Sequence, residues 1–283
     1  MVRKSIIHAA TSGGHALLKQ AVRAPTQPLK CVTVDVTGTL MGYKGALGDY
    51  YCMAAKRAGL PCPDYERMHQ GFEVAYKEMD QMYPCFGKIH NVPNQEWWRE
   101  CVRKAFCEAG YDYTDKEFDA VFLRIYGIFG SSAPYEVYDD VIPFLRWVRA
   151  QGIVVGVLSN ASYRYRDDIL PQLGIKQGEE WDFGVFSGIE GVEKPNPEIF
   201  KIALSRAGSN IIPEQALHIG DSLRKDFVPA ATLGMHALLL NRFDSKEARA
   251  AKETGVPVVT DLRQCQDYIV ALREESKASQ PIS

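Results

Sequence analysis

Three carboxylates, a lysine and a serine stand in this chain at places where one fold could present them together. Asp35 opens the run Asp35-Val36-Thr37-Gly38-Thr39-Leu40. Ser159-Asn160 follow Leu158, and Lys194 lies in Glu193-Lys194-Pro195-Asn196-Pro197. Asp221 and Asp226 belong to Gly220-Asp221-Ser222-Leu223-Arg224-Lys225-Asp226. Carboxylate oxygens are the hard ligands that Mg²⁺ takes. A carboxylate is also a nucleophile able to split a hydrolysis into two steps. An ammonium and a hydroxyl can neutralise and orient an anion. Together such groups could hold a divalent cation, bind an anion and supply a nucleophile to it.

The elements that must position these residues are legible as short apolar runs. They cover residues 31–35, 153–158, 183–186, 216–220, 236–240 and 256–259, with helical periodicity between them at 140–150, 162–173, 196–207 and 224–233. Buried strands alternating with helices predict an α/β fold, a Rossmann-like, doubly wound parallel sheet covered on both faces. In such sheets ligands bind beyond the carboxyl ends of the strands. Three of the four islands directly follow an expected strand, and the fourth precedes a helix, so all can meet in one crevice.

Residues 47–137 interrupt the alternation with a long, aromatic-rich stretch of helical period, around 50–58, 68–79, 96–109 and 115–129. An insertion of this kind predicts an α-helical cap over the sheet. The expected organisation is an extension over 1–30, a core from 31–46 and 138–265, a cap over 47–137, and a helix end with a tail over 266–283, frayed from 275. Taken singly, the motifs have plainer readings: a strand-to-loop turn at Asp35, a capping Ser159, a surface Lys194, a loop Asp226.

In their order, these four islands resemble those of the haloacid dehalogenase (HAD) superfamily, over roughly residues 31–262. The strings Gln70-Gly71-Phe72, Tyr83-Pro84, Gln95-Glu96-Trp97-Trp98 and Gly234-Met235-His236 are similar to one branch of it. The resemblance implies a HAD-like core with an inserted cap and activity as a Mg²⁺-dependent phosphatase on a small phosphorylated substrate. It implies Asp35 as nucleophile, with Ser159 and Lys194 as its catalytic companions. Asp35, the Thr37 backbone carbonyl, Asp221 and Asp226 become the expected metal site. Thr37, Gly38, Ser159, Asn160 and Lys194 become the expected phosphoryl contacts, the Gly38 turn letting backbone N–H groups approach closely.

Thr37 departs from the family pattern, which has a second Asp there as general acid and base. A threonine hydroxyl cannot exchange protons near neutral pH as a carboxyl does. General acid–base catalysis contributes about 10²–10⁴-fold, so slow hydrolysis is one expectation and a silent phosphate- and Mg²⁺-binding regulator another. P-type ATPases are similar in having Thr at this place. A 2-haloacid dehalogenase is a minor alternative. The cap offers His69, Asp80, His90 and Glu96 as substitute proton carriers. His218, inside a strand pattern, reads as a packed core histidine, and Trp97-Trp98 as cap core. The loop bearing Tyr83, Phe86, Lys88 and His90 is where substrate contacts are expected.

Composition excludes several classes. A net charge of −2 over 283 residues, with basic and acidic residues interspersed, gives no electrostatic footprint for nucleic acid. No apolar window reaches the length of a membrane span. Seven irregularly spaced cysteines with no CxxC pair read as reduced thiols. A cytoplasmic location is expected. The basic, acid-free stretch before Asp35 also has a composition suited to mitochondrial or other organelle targeting.

Overall fold

The computed structural model describes residues 27–61 and 64–278. A six-stranded sheet forms its centre, in the order β5-β4-β1-β6-β7-β8. The strands are β1 (Cys31–Val34), β4 (Val154–Ser159), β5 (Phe183–Phe186), β6 (Ala216–Gly220), β7 (His236–Leu240) and β8 (Val258–Val259). Every pairing in it is parallel. The chain winds outward from β1 through β4 to β5, then returns to β6 on the other side of β1. That reversal puts the switch point of the sheet beside β1.

Both faces are covered, which is why the strands are continuously apolar. On one face Val32, Val34, Val155 and Val157 pack with Val141, Phe144 and Leu145 of a helix over Val141–Ala150, and with Leu262, Cys265 and Ile269 of a C-terminal helix over Leu262–Ala278. On the other, Leu158 and Ala216 pack with Ile199 and Phe200 of the helix Pro197–Ala207. That last helix starts at Asn196, whose side chain accepts from the Glu198 N–H, with Pro197 in the first turn, a favoured helix start.

Between β1 and β4 lie α1 (Leu47–Arg57), α2 (Tyr65–Met82), α3 (Asn94–Glu108) and α4 (Asp115–Ile128). They enclose a separate apolar cluster that includes Tyr51, Met68, Trp97, Phe106 and Phe118. Asp64 caps α2, and Thr114 with Glu117 forms a capping box on α4. At the base of this helical unit β2 (Met41–Tyr43) pairs antiparallel with β3 (Tyr135–Val137), a two-stranded link absent from the sequence reading. The pairing ties residues 135–137, read as the end of the insertion, to a strand in the first core segment.

Several expectations change. The helix expected over 162–173 is instead a wide turn at Tyr165–Ile169 followed by one turn at Leu170–Gln172. The helix expected over 224–233 likewise splits into a wide turn, Leu223–Phe227, and Val228–Leu233. Each wide turn leads into a proline, Pro171 or Pro229, whose missing N–H cannot join an i−4 ladder. Of the tail expected to fray from 275, residues 275–278 are helical and Ser276 is buried, while 279–283 lie outside the described residues. At the other end Leu29 joins the core, and Lys30 N–H donates to the Gln215 carbonyl at 2.8 Å. Residues 1–26 and the targeting expectation lie outside the described residues. Among the described residues, no helix is long and apolar enough to cross a membrane.

Candidate active site

The carboxyl ends of three neighbouring strands converge. β1 ends at Val34 and delivers Asp35; β4 ends at Ser159 and delivers Asn160; β6 ends at Gly220 and delivers Asp221. Lys194 comes in from the loop before the helix that starts at Pro197. Its Nζ lies 2.8 Å from Asp35 Oδ1 and 2.5 Å from Asp226 Oδ1, and donates to the Leu158 carbonyl at 3.2 Å. Asn160 holds the Lys194 backbone from both sides, donating to its carbonyl and accepting from its N–H, each at 2.8 Å. Asn160 therefore fixes the lysine, in addition to its place beside the expected phosphoryl contacts.

Burial alone would lower the pKa of Lys194. The carboxylates of Asp226 and Asp35 outweigh that and hold the ammonium above its usual value. Asp226 shows the converse: burial pushes its pKa up, while Lys194 and His218 together pull it well below the usual carboxylate range. An ionised carboxylate only accepts, so His218 Nε2, 3.0 Å away, donates to Asp226 Oδ1. Nδ1 of the same ring faces the Thr33 hydroxyl at 2.8 Å. The Ser222 N–H donates to the other Asp226 oxygen at 3.0 Å. His218 is fully buried, as its strand pattern implied, but it is a hydrogen-bond partner of the site and not only packing.

Asp221 is exposed at the mouth. Desolvation, then the charges of Asp35 and Asp226, raise its pKa to about 7. Asp35, Asp221 and Asp226 each present a possible ligand atom, all within 4.8 Å of one another. Three carboxylates against one ammonium leave negative charge unbalanced, and this donor set of hard oxygens fits Mg²⁺. Asp226 already has donors on both oxygens, so Asp35 and Asp221 are the carboxylates better placed to hold the cation directly.

Gly38 shapes the loop. It has φ +82°, and a Cβ there would sit 2.4 Å from Asp221 Oδ2. Arg242 braces the same loop by donating twice to the Thr39 carbonyl, at 3.1 and 3.0 Å, while paired with Asp140 at 2.8 Å. No local motif marked Arg242. Ser159 is buried, and among the described residues its hydroxyl has no hydrogen-bond partner, so it is available to a ligand.

Thr37 opens onto a cavity of about 480 Å³ between the sheet and the inserted helices. Of the four proposed proton carriers, His69 lines this cavity, paired with Glu73 at 3.5 Å. Asp80 instead acts on Glu193, whose pKa is raised by burial and then by the Asp80 charge. His90 packs against Tyr83, and Glu96 is exposed in the first turn of α3. From the loop expected to touch substrate, Phe86 lines the cavity, whereas Tyr83, Lys88 and His90 do not. Trp97 is cap core, as read; Trp98 reaches the cavity wall.

A family model for haloacid dehalogenase-like hydrolases matches residues 29–234. Haloacid dehalogenase-like hydrolase domain-containing protein 3 of Danio rerio is 31% identical over 220 residues, 78% of this chain and 88% of the relative. A HAD phosphatase from Thermococcus onnurineus superposes with a TM-score of 0.57 at 20% identity, covering 87% of this chain and all of the other. A 2-haloacid dehalogenase from Pseudomonas syringae gives 0.57 at 21% identity, covering 86% and 98%. Both are similar to this chain in fold, and fold alone does not choose between their chemistries.

Proposed function

The chain belongs to the haloacid dehalogenase-like hydrolase family, and on that premise we propose that it is a Mg²⁺-dependent phosphatase working through an Asp35 aspartyl-phosphate. The observation that carries this reading is the cluster of Asp35, Asp221 and Asp226 with Lys194 buried against two of them. It is a site short of positive charge at the end of a switch-point strand. Mg²⁺ held by Asp35 and Asp221, with Asp226 behind them, would neutralise the phosphoryl oxygens. Thr37 together with an acidic cluster able to hold a cation favours phosphoryl chemistry over dehalogenation.

Lys194 fixes the plane of the Asp35 carboxylate through Oδ1. Asp35 attacks phosphorus, the P–O bond to the leaving group breaks with its electron pair on oxygen, and the group departs as an alkoxide or phenoxide that takes its proton from water. The Ser159 hydroxyl would donate to a phosphoryl oxygen, whereas the Gly38 and Thr39 N–H groups of the turn already donate to the Met41 and Val36 carbonyls, at 2.8 and 3.2 Å. Water then cleaves the acyl phosphate and restores Asp35. With Thr37 in place of an acid, leaving groups that depart without a proton are the favoured ones.

The test is turnover of a panel of phosphomonoesters with and without Mg²⁺, beside Asp35→Asn. Mg²⁺-dependent release of phosphate by the wild type, absent in the variant, is the expected result. Activity retained by Asp35→Asn sinks the mechanism. Background rates in both, with Mg²⁺ still bound, would favour a phosphate-binding regulator.

A further inference from the structure

We propose that the organic part of the substrate is a flat aromatic group, seated in the cavity that runs from Thr37 into the helical cap. This deepens the phosphatase reading and rests on it. The cavity's 480 Å³ lies within the range of small-molecule sites. Its lining includes Thr37, Asn160 and Ser162 of the loops beside the strand ends, and aromatic side chains of the cap such as Phe72, Phe86 and Trp98. A phosphoryl group at Asp35 would thus carry its ester substituent towards a wall of rings.

Several polar members of that wall already have partners. The Arg164 guanidinium donates to the Tyr126 carbonyl at 2.8 Å, lies 3.8 Å from the centre of the Tyr126 ring, and pairs with Asp168 at 3.5 Å. Asn160 is committed to the Lys194 backbone. Tyr43 and Tyr165 share a hydroxyl contact at 3.5 Å. Of the buried side-chain polar atoms without a partner among the described residues, only His69 Nδ1 belongs to this wall. A glycerol or sugar substituent would press several hydroxyls against a lining that is mostly apolar and aromatic, and unpaired buried polar groups are costly. An aromatic substituent meets neighbours that accept it edge-to-face or offset.

The backbone gives an independent reason. Cys85 and Phe86 both adopt left-handed conformations, with φ +54° and +56°. A bulky residue there is an outlier that persists only where its surroundings hold it, and such outliers cluster at ligand sites. The strained turn delivers the Phe86 ring into the wall, 5.3 Å from Trp97 and 6.0 Å from Trp98. The chain tolerates the strain and gains a ring in the cavity.

Benzylphosphonate and methylphosphonate, which cannot be turned over, separate seat from catalysis. With Mg²⁺ present, benzylphosphonate should bind at least about ten-fold more tightly by calorimetry and change the tryptophan fluorescence. Trp98→Phe should remove most of that change while binding persists, and Phe86→Ala should narrow the preference. Equal affinity of the two probes, or no binding of either, overturns the proposal. Turnover of benzyl phosphate and glycerol 2-phosphate completes the test. Mg²⁺-dependent turnover that favours glycerol 2-phosphate overturns the aromatic seat and leaves the phosphatase reading standing. A benzylphosphonate preference with no turnover of any ester supports the seat and rejects the phosphatase reading.

Discussion

His218 and Asp226 are joined at the carboxyl end of the sheet: Nε2 of the histidine donates at 3.0 Å to the same oxygen that takes the Lys194 ammonium at 2.5 Å. Asp226 is thereby held by three donors, the third being the Ser222 N–H. Its part is to lock Lys194 over Asp35. A buried lysine aimed at a nucleophile requires this, because removing one partner of a buried ion pair leaves a charge uncompensated.

Asp226→Asn should therefore destabilise the protein by about 3–5 kcal/mol and abolish turnover, since Lys194 keeps only Asp35 as a carboxylate partner. Urea denaturation followed by circular dichroism checks the first effect. A loss below about 1 kcal/mol would mean that Lys194 does not depend on Asp226.

His218→Phe keeps the burial and removes one donor to Asp226, as well as the contact with Thr33. The expected loss is about 1–3 kcal/mol, with turnover reduced but measurable because Lys194 still pairs with both carboxylates. A variant as stable and as active as wild type would show the histidine to be simple filling.

Thr37→Asp restores the proton carrier that the site lacks. Turnover of esters with poor leaving groups should rise by about 10²–10⁴-fold, and turnover of activated aryl phosphates much less. Equal gains for both kinds of ester would contradict the view that proton delivery limits the rate.

Gly38→Ala puts a methyl group 2.4 Å from Asp221 Oδ2 at a residue with φ +82°. Asp221 must move, so the Mg²⁺ concentration for half-maximal turnover should rise about ten-fold or more, with the melting temperature lowered as well. An unchanged Mg²⁺ requirement would remove Asp221 from the metal site.

His236 gives a pH dependence away from the site. Burial lowers its pKa below 6.5, outweighing its contact with the Glu214 backbone and the charges of Glu214 and Glu275, which act the other way. The unfolded chain then binds a proton below about pH 6.5 that the folded state resists. Stability from this group is present above that value and falls as pH drops below it. Denaturation of wild type and His236→Gln between pH 7.5 and 5 should show a shallower fall in the variant.

Much of the catalytic end was legible because its residues sit where elements stop. Asp35, Asn160 and Asp221 each follow the last residue of a strand, and Lys194 precedes a proline-started helix; these are local relationships within a few residues. The alternation of buried strands and helices required a parallel sheet, and a parallel sheet gathers its carboxyl ends along one edge. Thr37 read as a missing proton carrier only through the resemblance to the family, whose pattern has an Asp at that place.

Other features depend on contacts between distant segments. His218 meets Thr33 because β6 lies beside β1, although 185 residues separate them. Arg242 reaches the Thr39 carbonyl across 203 residues. The cavity takes Phe72 from α2, Phe86 from a strained turn, Trp98 from α3 and Phe129 from the end of α4. The sequence pointed to the loop bearing Phe86 for substrate contacts and read Trp97-Trp98 as cap core, but it did not show that Trp98, Phe72 and Phe129 would line the same cavity. Local spacing determined which groups could do chemistry. Only the packing of the cap against the sheet decided what surface they face, because burial of a side chain depends on neighbours that the local sequence does not contain.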